Sequence, residues 1–256
     1  MLLNTAQQPA AAPHRIVSLV PSQTELLFSL GLDEQVCGIT RYCIHPAHWQ
    51  HTKTIAGGTK KINENRVRAL QPDLIIANRE ENVREQVERL SADFPVWVTD
   101  VHDLNSALHM IADLGVLTGK PERALELCAE ISNAFVQITR PKKKYKTAYL
   151  IWKDPFMSVG GDTFIHAMLD HAGLENIFAD QKRYPATSPE AISDRGCELL
   201  LLSSEPYPFN ENHVKELQER LPDTKILLVN GELFSWYGSR MLLAPRYFSE
   251  LVTQLD

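Results

Sequence analysis

Apolar residues occur along this chain in two alternating rhythms, and the alternation predicts the fold. Short unbroken apolar runs, RIVSLV, QVCGIT, PDLIIA and VWVTD, alternate with stretches in which apolar positions recur every three or four residues. Such runs read as buried strands and such stretches as amphipathic helices; strands alternating with helices pair in parallel through right-handed crossovers. The first unit is strand Ile16 to Val20 running into a helix, with Ser22 and Glu25 expected to form a capping box and Gly31 a left-handed cap. Helices are predicted over Asn65 to Leu70, Glu80 to Ser91 and Asp103 to Leu117.

PERALELCAEISNAFVQIT, from Pro121 to about Thr139, then reads as one long helix with Leu125, Cys128, Ile131 and Phe135 at helical spacing. No Gly-rich or Ser-rich linker is present, so the halves are joined stiffly. After PKKKYK the order repeats: strand TAYLIW, helix TFIHAMLDHAGL, helix SPEAISDRG, strand CELLLLS, helix NENHVKELQERL, strand KILLVN and a terminal helix. The expectation is an α/β chain of two Rossmann-like lobes with parallel sheets. The boundaries are 14–118 for the first lobe, 119–140 for one rigid helix, and 145–256 for the second lobe. A ligand cleft lies between lobes, where loops after the strands meet.

Composition narrows the function. The net charge of -6 leaves no polyanion-binding surface, and the one basic run, Lys142 to Lys146, reads as a solvated helix end and linker. No apolar run approaches a membrane span. The opening MLLNTAQQPAAAPH lacks the features of an intact secretory signal. Cys37, Cys43, Cys128 and Cys197 have no CxxC spacing, which argues against a disulfide framework and suits a reducing compartment. Dinucleotide, P-loop, zincin and nucleophile-elbow motifs are missing, so no catalytic residue is assigned. Asp73 reads as a structural cap.

RIVSLVPSQTELLFSLGL, ENRVRALQPDLIIA, the long middle helix and GGDTFIHAMLDHAGLENIF together resemble the class III substrate-binding proteins of ABC importers, the receptors for cobalamin, haem and ferric siderophores. The resemblance covers most of the chain, and ENIF with SPEAI places it nearest the cobalamin branch. It implies a non-enzymatic monomer that captures a metal chelate for an ABC permease, with no intrinsic cofactor and the metal arriving inside the ligand. Aromatic side chains of the cleft loops would pack on the macrocycle, and the matching positions are Tyr42, Trp152 or Phe156, Tyr184, and Trp236 with Tyr237. Two loops that often carry tryptophan read GGTKK and ANREE, which brings Lys60, Lys61, Asn78 and Arg79 to the cleft. Docking on the permease would use one carboxylate per lobe: Glu190, and Glu64 beside Asn65.

Three readings of the residues themselves complete the picture. Arg41, Lys60, Lys61, Arg79, Lys153, Arg183 and Arg240 all follow predicted strands and would give an anionic ligand a basic cleft, with Arg240 able to grip a carboxylate or phosphate bidentately. Cys43, His45, His48 and His51 are weak metal-ligand candidates, with no metal site assigned. Gly160, Gly161 and Asp162 form either an anion-binding turn or a purely structural one. Two rival functions stay open: a cytosolic carrier or sensor of the same ligand, and a chelatase-like corrinoid-processing protein working through the loop at His45. Localisation is cytoplasmic if Met1 is the native start, and periplasmic or envelope if a signal peptide was removed.

Overall fold

The computed structural model describes residues 2–3 and 12–255. The opening MLLNTAQQPAAAPH, expected to lack the features of an intact secretory signal, lies largely outside the described residues. The chain divides into two compact units. One comprises Met1–Val101, Asn105–Ser132 and Trp236–Arg240; the other comprises His102–Leu104, Asn133–Ser235 and Met241–Asp256.

The first unit runs β1 (Leu2–Leu3), β2 (Ile16–Ser18), α1 (Pro21–Ser29), β3 (Val36–Ile39), α2 (Trp49–Thr52), β4 (Thr54–Ile55), α3 (Glu64–Ala69), β5 (Leu74–Asn78), α4 (Arg84–Ser91), β6 (Val96–Thr99), α5 (Leu104–Thr118) and the start of α6 (Pro121–Val136). Its six strands lie in the order β1-β6-β5-β2-β3-β4, with every pairing parallel. Leu74 to Asn78 are all buried, as a central strand covered on both faces requires. Val17, Leu19, Ile75, Ala77 and Val96 pack with Val67, Val87 and Leu90 from the covering helices.

Local details differ from the sequence expectation for identifiable reasons. Helix α1 starts at Pro21 after Val20 and has no side-chain cap, because Glu25 is engaged by Arg240 instead of reaching back to Ser22. The stretch from Glu80 to Val83 is a turn held by Asn78, whose side-chain oxygen accepts from the backbone N–H groups of Glu80 and Glu81, so the helix begins only at Arg84. In α6 the buried stripe is Ala124, Leu127, Ile131 and Phe135, whereas Leu125 is exposed.

The second unit runs β7 (Lys146–Leu150), β8 (Phe156–Met157), α7 (Phe164–His171), β9 (Glu175–Asn176), β10 (Ala186–Thr187), α8 (Pro189–Asp194), β11 (Leu199–Ser203), α9 (Glu211–Arg220), β12 (Lys225–Val229), α10 (Glu232–Ser235) and α11 (Ala244–Thr253). Four strands form a parallel sheet in the order β12-β11-β7-β9. The short pair β8 and β10 is antiparallel, which apolar periodicity alone did not reveal. The run Leu199 to Leu202 is fully buried and forms the centre of this core with Ala148, Leu150, Phe178 and Ile192.

Candidate functional site

All strands of a parallel sheet end on the same edge, so the loops after β2 to β6 gather at one side of the first unit. Asn82 ties them together. Its Oδ1 accepts from the Asn78 backbone N–H at 2.8 Å, and its Nδ2 donates to the carbonyls of Leu19 and Thr59 at 3.2 and 3.1 Å. Asn78 is buried and donates to Thr99, so it is a brace of this edge and not a cleft residue. The Thr99 hydroxyl also accepts from Gln23 Nε2 at 2.6 Å, while Gln23 Oε1, fully buried, has no hydrogen-bond partner.

The cations expected at this edge separate into different environments. Lys60 donates to the Glu80 carbonyl, and Arg79 pairs with Asp100 at 2.9 Å. Arg41 and Lys61 instead line one open groove with Asn63, Glu64, Asn65, Arg66 and Arg68. Tyr42 is 56% exposed, its ring lying beside Gly58.

Segment 236–240 belongs to the first unit. Gly238 (φ +121°) allows it to lie on α1, since a Cβ there would stand 3.3 Å from the Ser22 carbonyl oxygen. Arg240 grips Glu25 bidentately, at 2.8 Å for Nε–Oε2 and 2.7 Å for Nη2–Oε1, and stacks over Trp236 at 5.2 Å. Trp236 and Tyr237 are only 8% and 6% exposed. The bidentate grip expected of Arg240 therefore closes on a carboxylate of the protein itself.

The metal candidates diverge. Cys43 is buried between the hydroxyls of Thr24 and Thr40, and burial pushes its thiol pKa up. His45 meets the Trp236 ring edge-on, while His48 packs against Phe28 and Trp49. Among the described residues no three His, Cys, Asp or Glu side chains are grouped to hold an ion.

In the second unit the loops after β7 and β11 carry an aromatic cluster. Trp152, 41% exposed, meets Tyr207 at 5.7 Å; Tyr207 packs on Phe209 at 4.8 Å and on His213 at 5.4 Å. His213 also caps α9: its Nδ1 accepts from the Asn210 backbone, and its Nε2 lies 3.1 Å from the Tyr207 hydroxyl. Tyr207 was missed from sequence, although its position just after a buried strand marks it as an edge residue. Phe156 and Tyr184 are half-buried, Phe156 within β8. Lys153 is paired with Glu216 at 2.5 Å, and Arg183 (φ +56°) is anchored through its backbone N–H to Asp162. Gly160 and Gly161 donate their N–H groups to the carbonyls of Arg183 and Gln181, so this turn is structural and leaves neither for an anion.

Both proposed docking carboxylates carry internal partners. Glu64 accepts from Arg89 at 2.7 Å and Arg68 at 3.3 Å, and these guanidinium groups, Arg89 foremost, hold its pKa below the usual glutamate range. Glu190 is bound by Arg220, which lowers its pKa to about 2.

Two α/β units, each offering strand-end loops with exposed aromatic and charged groups, define a binding protein for a small solute. The sequence matches the periplasmic binding protein family over residues 16–225, and the chain belongs to that family, with the features of its class III substrate-binding members. It is 26% identical over 266 residues to a vitamin B12-binding protein of Pectobacterium atrosepticum, covering 100% of this chain and 93% of that protein. Its fold is similar to the periplasmic heme-binding protein RhuT of Roseiflexus, with a TM-score of 0.80 and 21% identity over 95% of this chain and 97% of that one. It is also similar to the periplasmic vitamin B12-binding protein BtuF of Vibrio cholerae, with a TM-score of 0.77 and 18% identity over 94% of this chain and 97% of that one. The chain is a binding protein and not an enzyme. Among the described residues no helix is long and apolar enough to cross a membrane.

Proposed function

We propose that this chain captures a metal chelate, with a cobalamin-like corrinoid as the first candidate and haem or a ferric siderophore as alternatives, and delivers it to an ABC permease from the periplasmic or envelope side. The observation that carries this reading is the Trp152–Tyr207 pair at the carboxyl ends of β7 and β11. A tryptophan that leaves two-fifths of its surface in water, braced by a second ring, is an apolar face suited to a flat macrocycle. The vitamin B12-binding relative, aligned over the whole chain, favours the corrinoid. Tyr42 and Tyr184 are further contact candidates. Any metal arrives inside the ligand.

The four free thiols, which by sequence suit a reducing compartment, are compatible with this placement because burial protects them. Burial raises the pKa of each, that of Cys197 to about 11, so all remain protonated and weakly reactive at neutral pH. Docking through Glu190 would exchange Arg220 for a permease cation.

The test is isothermal titration calorimetry of the purified chain with cyanocobalamin, haem, a panel of ferric siderophores and free divalent metals. One chelate should bind saturably and lose at least about tenfold in affinity in Trp152→Ala, as removal of a contact aromatic does. Heat from free metal alone, or unchanged affinity in the variant, would overturn the reading.

A further inference from the structure

Helix α9 reaches both loops that carry the exposed aromatic pair, through two side chains one turn apart. His213 sits in its first turn, where Asn210 and His213 form the capping box that starts the helix. Glu216, one turn further on the same face, binds Lys153 at 2.5 Å, and Lys153 directly follows Trp152. His213 meets the rings of Tyr207 and Phe209 edge-on, both at 5.4 Å. Tyr207 in turn braces Trp152 at 5.7 Å.

The hydrogen bonds of His213 determine where its proton sits. Nδ1 accepts from the Asn210 backbone N–H at 3.1 Å, so it carries a lone pair and no proton. The neutral imidazole then holds its one proton on Nε2, which donates to the Tyr207 hydroxyl oxygen at 3.1 Å. A second proton has only Nδ1 to occupy. There it sets a donor against the Asn210 donor, so the helix loses this cap and the ring that holds Tyr207 is displaced. The surrounding charges oppose one another. The Glu216 carboxylate, its pKa lowered by Lys153 foremost and also by His213, attracts a charged imidazole, whereas Lys153 from the loop after β7 repels it. The Tyr207 hydroxyl faces it from the loop after β11. Helix α8 and strand β12 also pack on α9, but their Glu190 and Lys225 are engaged by Arg220 and by the Gln254 carbonyl.

We infer that His213 is the positioning residue of the Trp152–Tyr207 face. While neutral it holds Tyr207, and through it Trp152, in the arrangement that receives the chelate; its protonation releases both rings. Capture therefore weakens in mild acid. His213 has this role only if the aromatic pair receives the chelate, as proposed.

The experiment measures acrylamide quenching of tryptophan fluorescence in the full chain at about pH 8 and about pH 5, the span over which histidine changes charge. Cyanocobalamin affinity is measured by calorimetry at the same two values. Trp152 dominates the quenching because the other three tryptophans are buried, and acrylamide, being neutral, does not respond to the change in protein charge. In acid the quenching constant should rise and the affinity fall about fivefold, as loss of one hydrogen bond of ordinary strength gives. His213→Gln, whose amide fills the same place in a capping box without titrating, should remove both pH effects and restore binding in acid. His213→Ala should bind about fivefold more weakly at both values. Quenching that does not change with pH in the unsubstituted chain, or a pH effect that persists in His213→Gln, overturns the proposal. Unaltered affinity in a folded His213→Ala also overturns it. If circular dichroism shows His213→Ala unfolded, the glutamine variant alone decides. Should cyanocobalamin bind at neither pH, the corrinoid candidate falls, while the quenching, read without any ligand, still decides the role of His213.

Discussion

The Arg240–Glu25 pair should be among the most costly polar contacts to break in the first unit. Its partners are 12% and 18% exposed and joined by two short hydrogen bonds. Removing one member of a fully buried pair costs about 3–5 kcal/mol, because the remaining charge keeps its desolvation cost without its counter-charge. The residual exposure here reduces this to about 2–4 kcal/mol for Glu25→Gln. Arg240→Ala should cost more, since it also removes the stacking over Trp236, worth about 0.5–2 kcal/mol. In a chain of this size each kcal/mol corresponds to about 2–4 °C of melting temperature, so Glu25→Gln should melt about 4–16 °C lower. Urea unfolding gives the free energies, and the single changes Glu25→Leu and Arg240→Met with their combination form a double-mutant cycle. The double variant should be more stable than either single change, because it leaves no unpaired charge. Additive losses, or a cost for Glu25→Gln below about 0.5 kcal/mol, would refute the reasoning.

Asn82→Ala removes three hydrogen bonds at a buried position and should cost about 2–4 kcal/mol in urea unfolding. Hydrogen exchange should speed up at the Asn78 amide, and unchanged exchange there would contradict the bracing role. The Glu64 pKa is lowered in the fold, so its ion pairs stabilise fully above the ordinary glutamate range and lose effect as pH falls through the depressed value. Glu64→Gln should therefore reduce stability at pH 7 and converge with the unsubstituted chain in strong acid; a constant difference across that range would reject the assignment. Glu190, observed by NMR titration, should lose its charge near pH 2 and shift upward in Arg220→Ala. A thiol reagent such as DTNB should label the native chain slowly, with all four cysteines reacting rapidly only in denaturant.

The fold was legible because its signal is one of period. LIIAN and LLLLS are buried at every position in the structure, and continuous apolar runs of that length have few alternatives to a central parallel strand. Which loops reach the strand-end edge was legible for the same reason. Pairing was not, because partners lie far apart in sequence. Lys153 is joined to Glu216 across 63 positions and Arg240 to Glu25 across 215, and no local pattern encodes either. Five of the seven expected cleft cations, Lys60, Arg79, Lys153, Arg183 and Arg240, are accordingly bonded to groups of the protein itself. Tyr207 escaped notice because Pro206 and Pro208 flank it in a stretch without periodicity.

Burial of the tryptophans separates architecture from recognition more sharply than residue type does. Trp49 and Trp97 sit inside the first unit at 0% and 4% exposure, and Trp236 is held at 8% by His45 and Arg240. Trp152 alone of the four presents a broad face, at 41%. Read as sequence, FSWYGSR looks the richer binding loop, since it combines two aromatics with an arginine. In the fold these groups satisfy one another, and the satisfaction fixes segment 236–240 on α1. A ring left uncovered in one unit, and in the other Arg41 and Lys61 with no ion-pair partner among the described residues, are groups whose interactions the fold has not consumed. The aromatic pair suits a flat apolar ligand, whereas Arg41 and Lys61 suit carboxylates.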